Sequence, residues 1–172
     1  MPKRPQTRGK RKQTRRRGQR GGADLPPELA GMKFPEKLAL TISDGTAPPT
    51  NSLVPIQAAK SEPTVNWSEP TPGNFRTLIC FDPDAAANSW LHWLVANCTR
   101  DTPLSGSTFM PWAPPTPPSG IHRYYFALFE HAARIPVEAT PKERGYFGVK
   151  QFIKEYGLEP VAFAMFRVKS SL

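Results

Sequence analysis

The sequence predicts a mainly β domain, most simply an antiparallel β-sandwich. Six short segments are rich in β-branched, aromatic or aliphatic residues, and proline, glycine, asparagine and serine cluster between them. The alternation of strands and helices that a parallel nucleotide-binding sheet would need is absent, as is a glycine-rich phosphate loop. The predicted strands cover residues 37–43, 63–67, 76–81, 90–97, 122–130 and 161–168.

One helix is predicted over residues 141–156. Thr140 is a candidate N-cap, and Gly157 follows the last helical position as a terminator. The apolar stripe of this helix consists of Phe152, Ile153 and Tyr156.

Residues 1–23 are predicted to be a basic disordered tail, and residues 24–172 a single β domain. Residues 1–22 hold ten of the 23 lysines and arginines and no acidic residue, which leaves 13 basic and 14 acidic side chains in the rest. After Met1 this stretch has no aliphatic or aromatic residue, so it cannot bury a core face. The excess positive charge of the chain, +9 at pH 7, therefore lies in the tail.

This density of cations predicts salt-dependent binding to nucleic-acid phosphates without reading of bases. The predicted contacts are Lys3, Arg4, Arg8, Lys10, Arg11, Lys12, Arg15, Arg16, Arg17 and Arg20. The alternatives are a nuclear import signal, a solubilising tail, attraction to a membrane surface, and a mitochondrial transit peptide. The lack of an apolar helical face counts against the transit peptide.

Two cysteines occur, Cys80 in an apolar run and Cys98 directly after another. This pattern predicts buried free thiols rather than a disulfide framework, and it fits a reducing compartment. No apolar run reaches about 18 residues and the N-terminus is not apolar, so we expect no transmembrane segment and no secretory signal. We predict a cytoplasmic or nuclear location, with the mitochondrial matrix as the alternative.

Two aspartates and two of the three histidines fall within residues 82–124. Asp82 and Asp84 follow the apolar run TLICF, and strand ends commonly present polar groups. His92 and His122 lie in aromatic and aliphatic runs that we predict to be buried strands, where an imidazole without a hydrogen-bonding partner would be costly. The pattern predicts a small polar pocket.

Period-two alternation assigns side chains to strand faces. One predicted face carries Trp90, His92, Leu94 and Ala96, and the opposite face carries Leu91, Trp93 and Val95. In the later strand one face carries His122, Tyr124, Phe126 and Leu128, and the other carries Arg123 and Tyr125. We therefore expect Arg123 to hold the scaffold rather than a ligand. The proline-rich loop over residues 110–120 is expected to be a stiff wall beside the pocket.

These residues resemble the phosphatidylethanolamine-binding protein family, including its plant flowering-time-type and mitochondrial ribosomal relatives. The family's two signature blocks are an Asp-Pro-Asp-Ala segment leading to a Trp-x-His strand, and a proline-rich loop ending in Gly-x-His-Arg. Here they read DPDAAANSWLHW and PPTPPSGIHR, in the same order. PTVNW and FIKEYGLEPVAFAMF resemble further family segments, so the resemblance covers about residues 30–169. It implies a Greek-key β fold of two sheets.

The resemblance also implies a small cavity that accepts phosphate or a phospholipid headgroup, without a cofactor. The implied ligand-binding residues are Asp82, Asp84, Trp90, His92, Trp112, Pro117, Gly120, His122 and Tyr124. Histidine rings and backbone N–H groups near Gly120 can donate to phosphate oxygens, and the aspartates can orient the histidines or accept from an ammonium group. Trp112 stands where the family commonly has tyrosine, so an indole N–H that only donates replaces a phenolic hydroxyl.

Other interpretations of the same residues remain open. The aspartates and histidines could satisfy one another and only pin the loop, as buried polar networks often do. Metal binding is disfavoured because the ligands lack the close spacing of recognised motifs. Catalysis is disfavoured because no G-x-S-x-G motif occurs and neither cysteine has a neighbouring histidine.

Two non-enzymatic functions follow. The first is a binding module for phosphate-bearing headgroups or phosphorylated partners, with peripheral membrane contact as one role of the tail. The second is a structural protein of the mitochondrial large ribosomal subunit, whose basic tail lies among rRNA phosphates.

Overall fold

The computed structural model describes residues 25–172. The predicted tail, with its disorder and nucleic-acid contacts, lies outside the described residues. The described part contains nine strands and one α-helix, with 3-10 turns at Pro27–Leu29, Pro103–Ser105 and Val137–Ala139. The elements are β1 (Glu36–Lys37), β2 (Ala39–Thr41), β3 (Ser52–Val54), β4 (Thr64–Asn66), β5 (Phe75–Asp82), β6 (Trp90–Cys98), β7 (Ser107–Met110), β8 (Ile121–His131), α1 (Val149–Glu155) and β9 (Glu159–Lys169). The predicted mainly β class is confirmed.

Seven strands form one large sheet in the order β1-β9-β8-β5-β6-β7, and β3 also pairs with β9. The pairings from β9 to β7 are antiparallel, whereas β1 and β3 run parallel to β9 along its outer edge. A second, two-stranded sheet consists of β2 and β4. The sheet is thus mixed at one edge, where the sequence predicts antiparallel strands.

Each face of the large sheet carries its own hydrophobic core. On one face Leu78, Phe126 and Phe166 pack with Leu40 of β2 and Val65 of β4. On the other face the core includes side chains from β5, β6 and β8 together with three residues of α1. Since each fully buried Leu or Phe contributes about 1.5–3 kcal/mol, these two layers hold the strands in register.

Most predicted strands match observed ones within a residue or two. The predicted strand over residues 37–43 is instead divided, because the backbone changes sheet at Leu38, whose N–H donates to Phe163 of β9. Two strands, β3 and β7, were not predicted. Both are three or four residues long and are defined by pairing with β9 and β6, which a local apolar pattern does not reveal.

The predicted helix over residues 141–156 is wrong in its first half, since α1 begins at Val149. Residues 141–148 bond to the loop before β6 and to the start of that strand: Tyr146 N–H donates to Ala87 O at 2.6 Å, and Arg144 O accepts from Leu91 N–H at 2.8 Å. These tertiary bonds outweigh helix propensity. The C-terminal end is as predicted, with Gly157 in the left-handed region at φ 58°.

Candidate ligand pocket

A cavity of about 310 Å³ lies at the end of the large sheet where β5 ends and β6 and β8 begin. Antiparallel pairing brings these three strand ends together. The cavity is lined by Asp82, Ala85, Ala86, Ala87, Trp90, His92, Thr116, Pro117, Pro118, His122 and Tyr124. The lining is thus mostly apolar, with a few converging polar groups.

Asp82 and His122 form the polar floor of the cavity. Asp82 is the last residue of β5 and His122 the second of β8, and Asp82 Oδ2 lies 2.7 Å from His122 Nδ1. The other carboxylate oxygen accepts from the Asp84 N–H at 2.8 Å. Burial raises the pKa of Asp82, while the hydrogen bond from His122 acts in the opposite direction. Because Nδ1 of His122 is engaged, Nε2 is the nitrogen that remains for a ligand.

A β-bulge turns His92 into the cavity. Cys80 pairs with Trp93 and Phe81 pairs with Leu91, so His92 is the extra residue on β6. The prediction that His92 shares a face with Leu94, opposite Trp93, is therefore wrong. His92 and Trp93 both make ring contacts with Trp112, while Leu94 belongs to the core on the other face.

The proline-rich loop fixes the His92 ring through hydrogen bonds on the side away from the cavity. His92 Nδ1 lies 2.6 Å from the carbonyl oxygen of Ala113, and the Ala113 N–H donates to His92 O at 2.8 Å. A carbonyl oxygen only accepts, so Nδ1 carries the hydrogen and Nε2 has a free lone pair. Burial lowers the pKa of His92 to about 4, which keeps the ring neutral at pH 7.

Two aromatic side chains complete the cavity. Tyr124 is buried and contacts the edge of the His92 ring, with ring centres 5.1 Å apart. Burial raises the pKa of its hydroxyl, which therefore stays protonated and can donate or accept. Trp90 is 37% exposed and lies at the mouth.

Asp84 does not line the cavity, although the family resemblance implies that it is a ligand-binding residue. Its carboxylate forms a two-pronged pair with Arg123, with Nε–Oδ2 at 2.8 Å and Nη2–Oδ1 at 2.7 Å, and it also accepts from the Arg123 N–H. The alternation predicted for β8 is correct, since His122 and Tyr124 point into the cavity and Arg123 lies over the Tyr125 ring. Arg123 thus anchors the Asp82–Asp84 loop.

Trp112 and Gly120 also lie outside the lining. Trp112 supports the His92 ring from the core side and donates its indole N–H to Lys60 O at 3.3 Å. Gly120 has φ 66°, and its carbonyl accepts from the Ser170 N–H, so it shapes the turn before β8. Pro117 is among the residues that line the cavity.

A family model for phosphatidylethanolamine-binding protein matches residues 46–166. The chain belongs to the phosphatidylethanolamine-binding protein (PEBP) family. It is 37% identical over 117 residues to Protein BROTHER of FT and TFL 1 of Arabidopsis thaliana, an alignment that covers 63% of this chain and 66% of that protein. The match thus spans just under two thirds of the plant relative.

Solved structures share the PEBP fold. Carboxypeptidase Y inhibitor, in the crystal structure of its complex with the cognate proteinase, has a TM-score of 0.70 at 20% identity, covering 80% of this chain and 85% of that one. The phosphatidylethanolamine-binding protein of Plasmodium vivax has a TM-score of 0.66 at 17% identity, covering 84% and 92%. At such identities the likeness concerns the fold.

Arg144 is a residue of this PEBP-family site that the sequence analysis missed. Its guanidinium donates to the carbonyl oxygens of Leu91 and His92, both at 3.1 Å, and to that of Pro111 at 2.8 Å. It thereby ties the bulge of β6 to the proline-rich loop. A lone arginine in an apparently helical segment gives no signal of this role.

The lining residues Ala85, Ala86, Ala87 and Thr116 were missed as well. Small side chains at 85–87 leave room in the cavity, and Gly145 approaches Ala87 closely, since a Cβ built on Gly145 would lie 3.1 Å from the Ala87 Cβ.

Within residues 25–172 no three His, Cys, Asp or Glu side chains are grouped so that they could hold a metal ion. In the same range no helix is long and apolar enough to cross a membrane.

Proposed function

We propose that this PEBP-family chain is a binding module whose cavity takes a small phosphate-bearing group, either a lipid headgroup such as that of phosphatidylethanolamine or a phosphorylated partner. One observation supports this most directly. His92 and His122 each use Nδ1 for a protein acceptor, and Nε2 of neither ring has a hydrogen-bond partner in the described part of the chain.

The polar groups of the cavity suit a tetrahedral oxyanion. The Tyr124 hydroxyl can donate to one phosphate oxygen, and Nε2 of His122, when it carries a hydrogen, can donate to a second. The rest of the lining is largely apolar, with the alanines at 85–87, Trp90 and the prolines, and apolar surroundings strengthen such bonds. A headgroup ammonium has one acceptor available, His92 Nε2.

The proposal is one of binding without turnover. Cys80 is fully buried, and burial raises the pKa of its thiol far above the ordinary value. Burial likewise raises the pKa of Cys98, to about 12. Neither thiol is therefore an activated nucleophile.

The test is calorimetric titration with O-phosphoethanolamine and with inorganic phosphate at about pH 6. His122→Asn keeps a donor at the Nδ1 position for Asp82 and removes Nε2, so we expect its affinity to fall at least about tenfold while the melting temperature changes little. Lys154→Ala, on an exposed face of α1, serves as the control and should bind like the wild type. Undetectable binding by the wild type would refute the proposal.

We also propose that residues 1–22 bind nucleic-acid phosphates. The support is the charge division of the chain, with ten cations and no acidic residue in this stretch. Deleting residues 1–22 should abolish binding to a generic single-stranded RNA and leave the phosphate titration unchanged. The wild-type affinity for RNA should fall steeply as salt rises.

Gradient sedimentation of the native protein, with and without ribonuclease, separates the ribosomal role from the others. Co-migration with a ribonuclease-sensitive large particle would support a structural role in a ribosome. Migration as a small free protein would favour nuclear import or membrane-surface attraction as the role of the tail.

A further inference from the structure

We infer that Glu28 is a positioning residue for the cavity. Its carboxylate accepts a hydrogen bond from the Ser89 hydroxyl and thereby holds residues 85–89, which form part of the cavity wall. Glu28 lies outside residues 46–166, the part of the chain that the family model matches. This inference rests on the proposed function, since the effect of Glu28 is measured as affinity for a phosphate-bearing ligand.

The backbone directly before β6 has a conformation that needs support. Asn88 and Ser89 both lie in the left-handed region, with φ 40° and 62°, which residues other than glycine rarely adopt. Such a conformation persists only where surrounding contacts hold it. The alanines at 85–87 and Trp90, on either side of these two residues, line the cavity. A change of conformation at Asn88 and Ser89 would therefore move the wall.

Two contacts hold this segment from opposite directions along the chain. The Tyr146 N–H donates to Ala87 O at 2.6 Å, which fixes the middle of the segment. The Ser89 hydroxyl donates to Glu28 Oε1, which fixes the end next to β6. Ser89 is only 4% exposed, and its hydroxyl makes no other hydrogen bond within residues 25–172. Loss of Glu28 would leave this buried donor without an acceptor.

Glu28 is itself held in place by its neighbours in the sequence. Pro26 and Pro27 restrict the backbone that enters the 3-10 turn, and Leu29 is fully buried in the core on the α1 face. The second carboxylate oxygen of Glu28, Oε2, is buried without a hydrogen-bond partner among the described residues. Burial of such an atom costs stability, and costs of this kind are typical of residues that serve a site.

Titration of full-length variants with O-phosphoethanolamine and with inorganic phosphate, at about pH 6, measures the effect. Glu28→Ala and Ser89→Ala should each weaken binding about fivefold, and the double variant should lose no more than either, because both remove the same hydrogen bond. Glu36→Ala is the matched control, since Glu36 also accepts from a serine hydroxyl, that of Ser68 at 2.9 Å, and neither residue lines the cavity. Its affinity should equal that of the wild type.

A glycine at position 89 tests whether the hydrogen bond acts by holding the backbone. Ser89→Gly removes the same hydroxyl as Ser89→Ala, but glycine adopts a left-handed φ without strain. Ser89→Gly should therefore recover part of the affinity that Ser89→Ala loses. Thermal unfolding confirms that each variant is folded.

Hydrogen exchange measures the position of the wall without any ligand. The Asn88 N–H donates to Ala85 O at 3.1 Å within the segment, and it should exchange faster in Glu28→Ala than in the wild type. The Ser170 N–H, which donates to Gly120 O at 2.8 Å beside the start of β8, should exchange at the wild-type rate.

The outcomes separate this inference from the proposed function. Wild-type affinity in both Glu28→Ala and Ser89→Ala, or losses that add in the double variant, overturns the positioning role and leaves phosphate binding in place. Binding of neither ligand by the wild type overturns the proposed function and this inference together.

Discussion

The two ends of the large sheet use a buried histidine in different ways. His131 and His92 are equally buried, at 4% exposure, and each lies close to a backbone carbonyl through Nδ1, to Ala133 at 2.8 Å and to Ala113 at 2.6 Å. At His131 the second nitrogen accepts from the Thr77 hydroxyl at 2.7 Å. At His92 the second nitrogen faces the cavity.

The difference shows that burial of a polar side chain does not identify a binding site. At the end with His131, Asn97 also exchanges two hydrogen bonds with the backbone of Ile135, at 2.9 and 2.8 Å, and of the polar atoms there the buried Arg76 Nε lacks a partner among the described residues. His131 and Asn97 fix the loop after β8, and their hydrogen bonds are made within the fold. At the other end Nε2 of both His92 and His122 faces the cavity without a hydrogen-bond partner in the described residues, and the proposed ligand binding rests on these two atoms.

The largest effect is expected on the stability of the fold, from a substitution at the end of the sheet that contains His131. His131→Ala leaves the Thr77 hydroxyl hydrogen without its acceptor and the Ala133 carbonyl without its donor, and it opens a void, so we expect a loss of about 3 kcal/mol in the free energy of unfolding. Urea unfolding measures this, and phosphate affinity should not change in the folded fraction. A stability loss under about 1 kcal/mol would contradict the structural role of His131.

Acid should destabilise both ends through the same chemistry. Burial lowers the pKa of His131, and it lowers that of His92 from 6.5 to about 4. Between pH 6.5 and pH 4 the histidines of the unfolded chain bind more protons than those of the folded chain. The free energy of unfolding should therefore fall by roughly 2–3 kcal/mol as the pH drops through this range. The raised pKa of Asp82 has the opposite sign and opposes this trend at lower pH.

Urea unfolding at about pH 7.5 and about pH 4.5 measures the acid effect. In His92→Asn the pH dependence should be weaker, because only the His131 share remains. A wild-type stability that does not change over this range would show that neither histidine is held neutral by the fold.

The hydrogen bonds of Arg144 lie at the cavity end of the sheet, so Arg144→Ala should affect that end and not the end that contains His131. Loss of three bonds to carbonyl oxygens should lower stability by about 2 kcal/mol and phosphate affinity by about tenfold, because the His92 bulge and the proline-rich loop are no longer tied together. Arg144→Lys should recover little, since an ammonium group cannot reproduce the planar fork. A loss of stability with unchanged affinity would reduce Arg144 to a purely structural role.

The smallest effect is expected for the pair of Arg123 and Asp84. Both side chains are about one third exposed, so Arg123→Ala should cost only about 0.5 kcal/mol of stability. Phosphate affinity should fall a few-fold, because the loop that presents Asp82 loses its anchor. Titration of Arg123→Ala beside Lys154→Ala checks this, and a loss as large as that of His122→Asn would place Arg123 in direct contact with the ligand.

The long strands and the chemical core of the site could be predicted from the sequence. Apolar runs in the sequence identify the four long strands, β5, β6, β8 and β9. Polar residues beside or within these runs identify the core of the site, namely Asp82, His92 and His122. The predictions that were wrong concern features that depend on tertiary contacts. The bulge at His92 arises from pairing with β5, and residues 141–148 leave the helix because they bond to the pocket loop and the start of β6.

The errors in the predicted site, at Asp84 and Arg144, have a common physical cause. Sequence proximity suggests that Asp84 acts with Asp82, yet Asp84 bonds to Arg123, whose partner cannot be chosen from one sequence. Arg144 is the converse case, since it acts on carbonyl oxygens, and backbone acceptors leave no trace in residue types.

The mixed edge of the large sheet has a consequence for how copies of this chain meet. Along β9, the short strands β1 and β3 and the single bonds from Leu38 and Asn51 occupy the outward backbone groups. At the opposite margin only the four-residue β7 is outermost. Neither margin of the described sheet therefore offers a long, flat template onto which a strand of a second molecule could add, a built-in protection against self-assembly into fibrils.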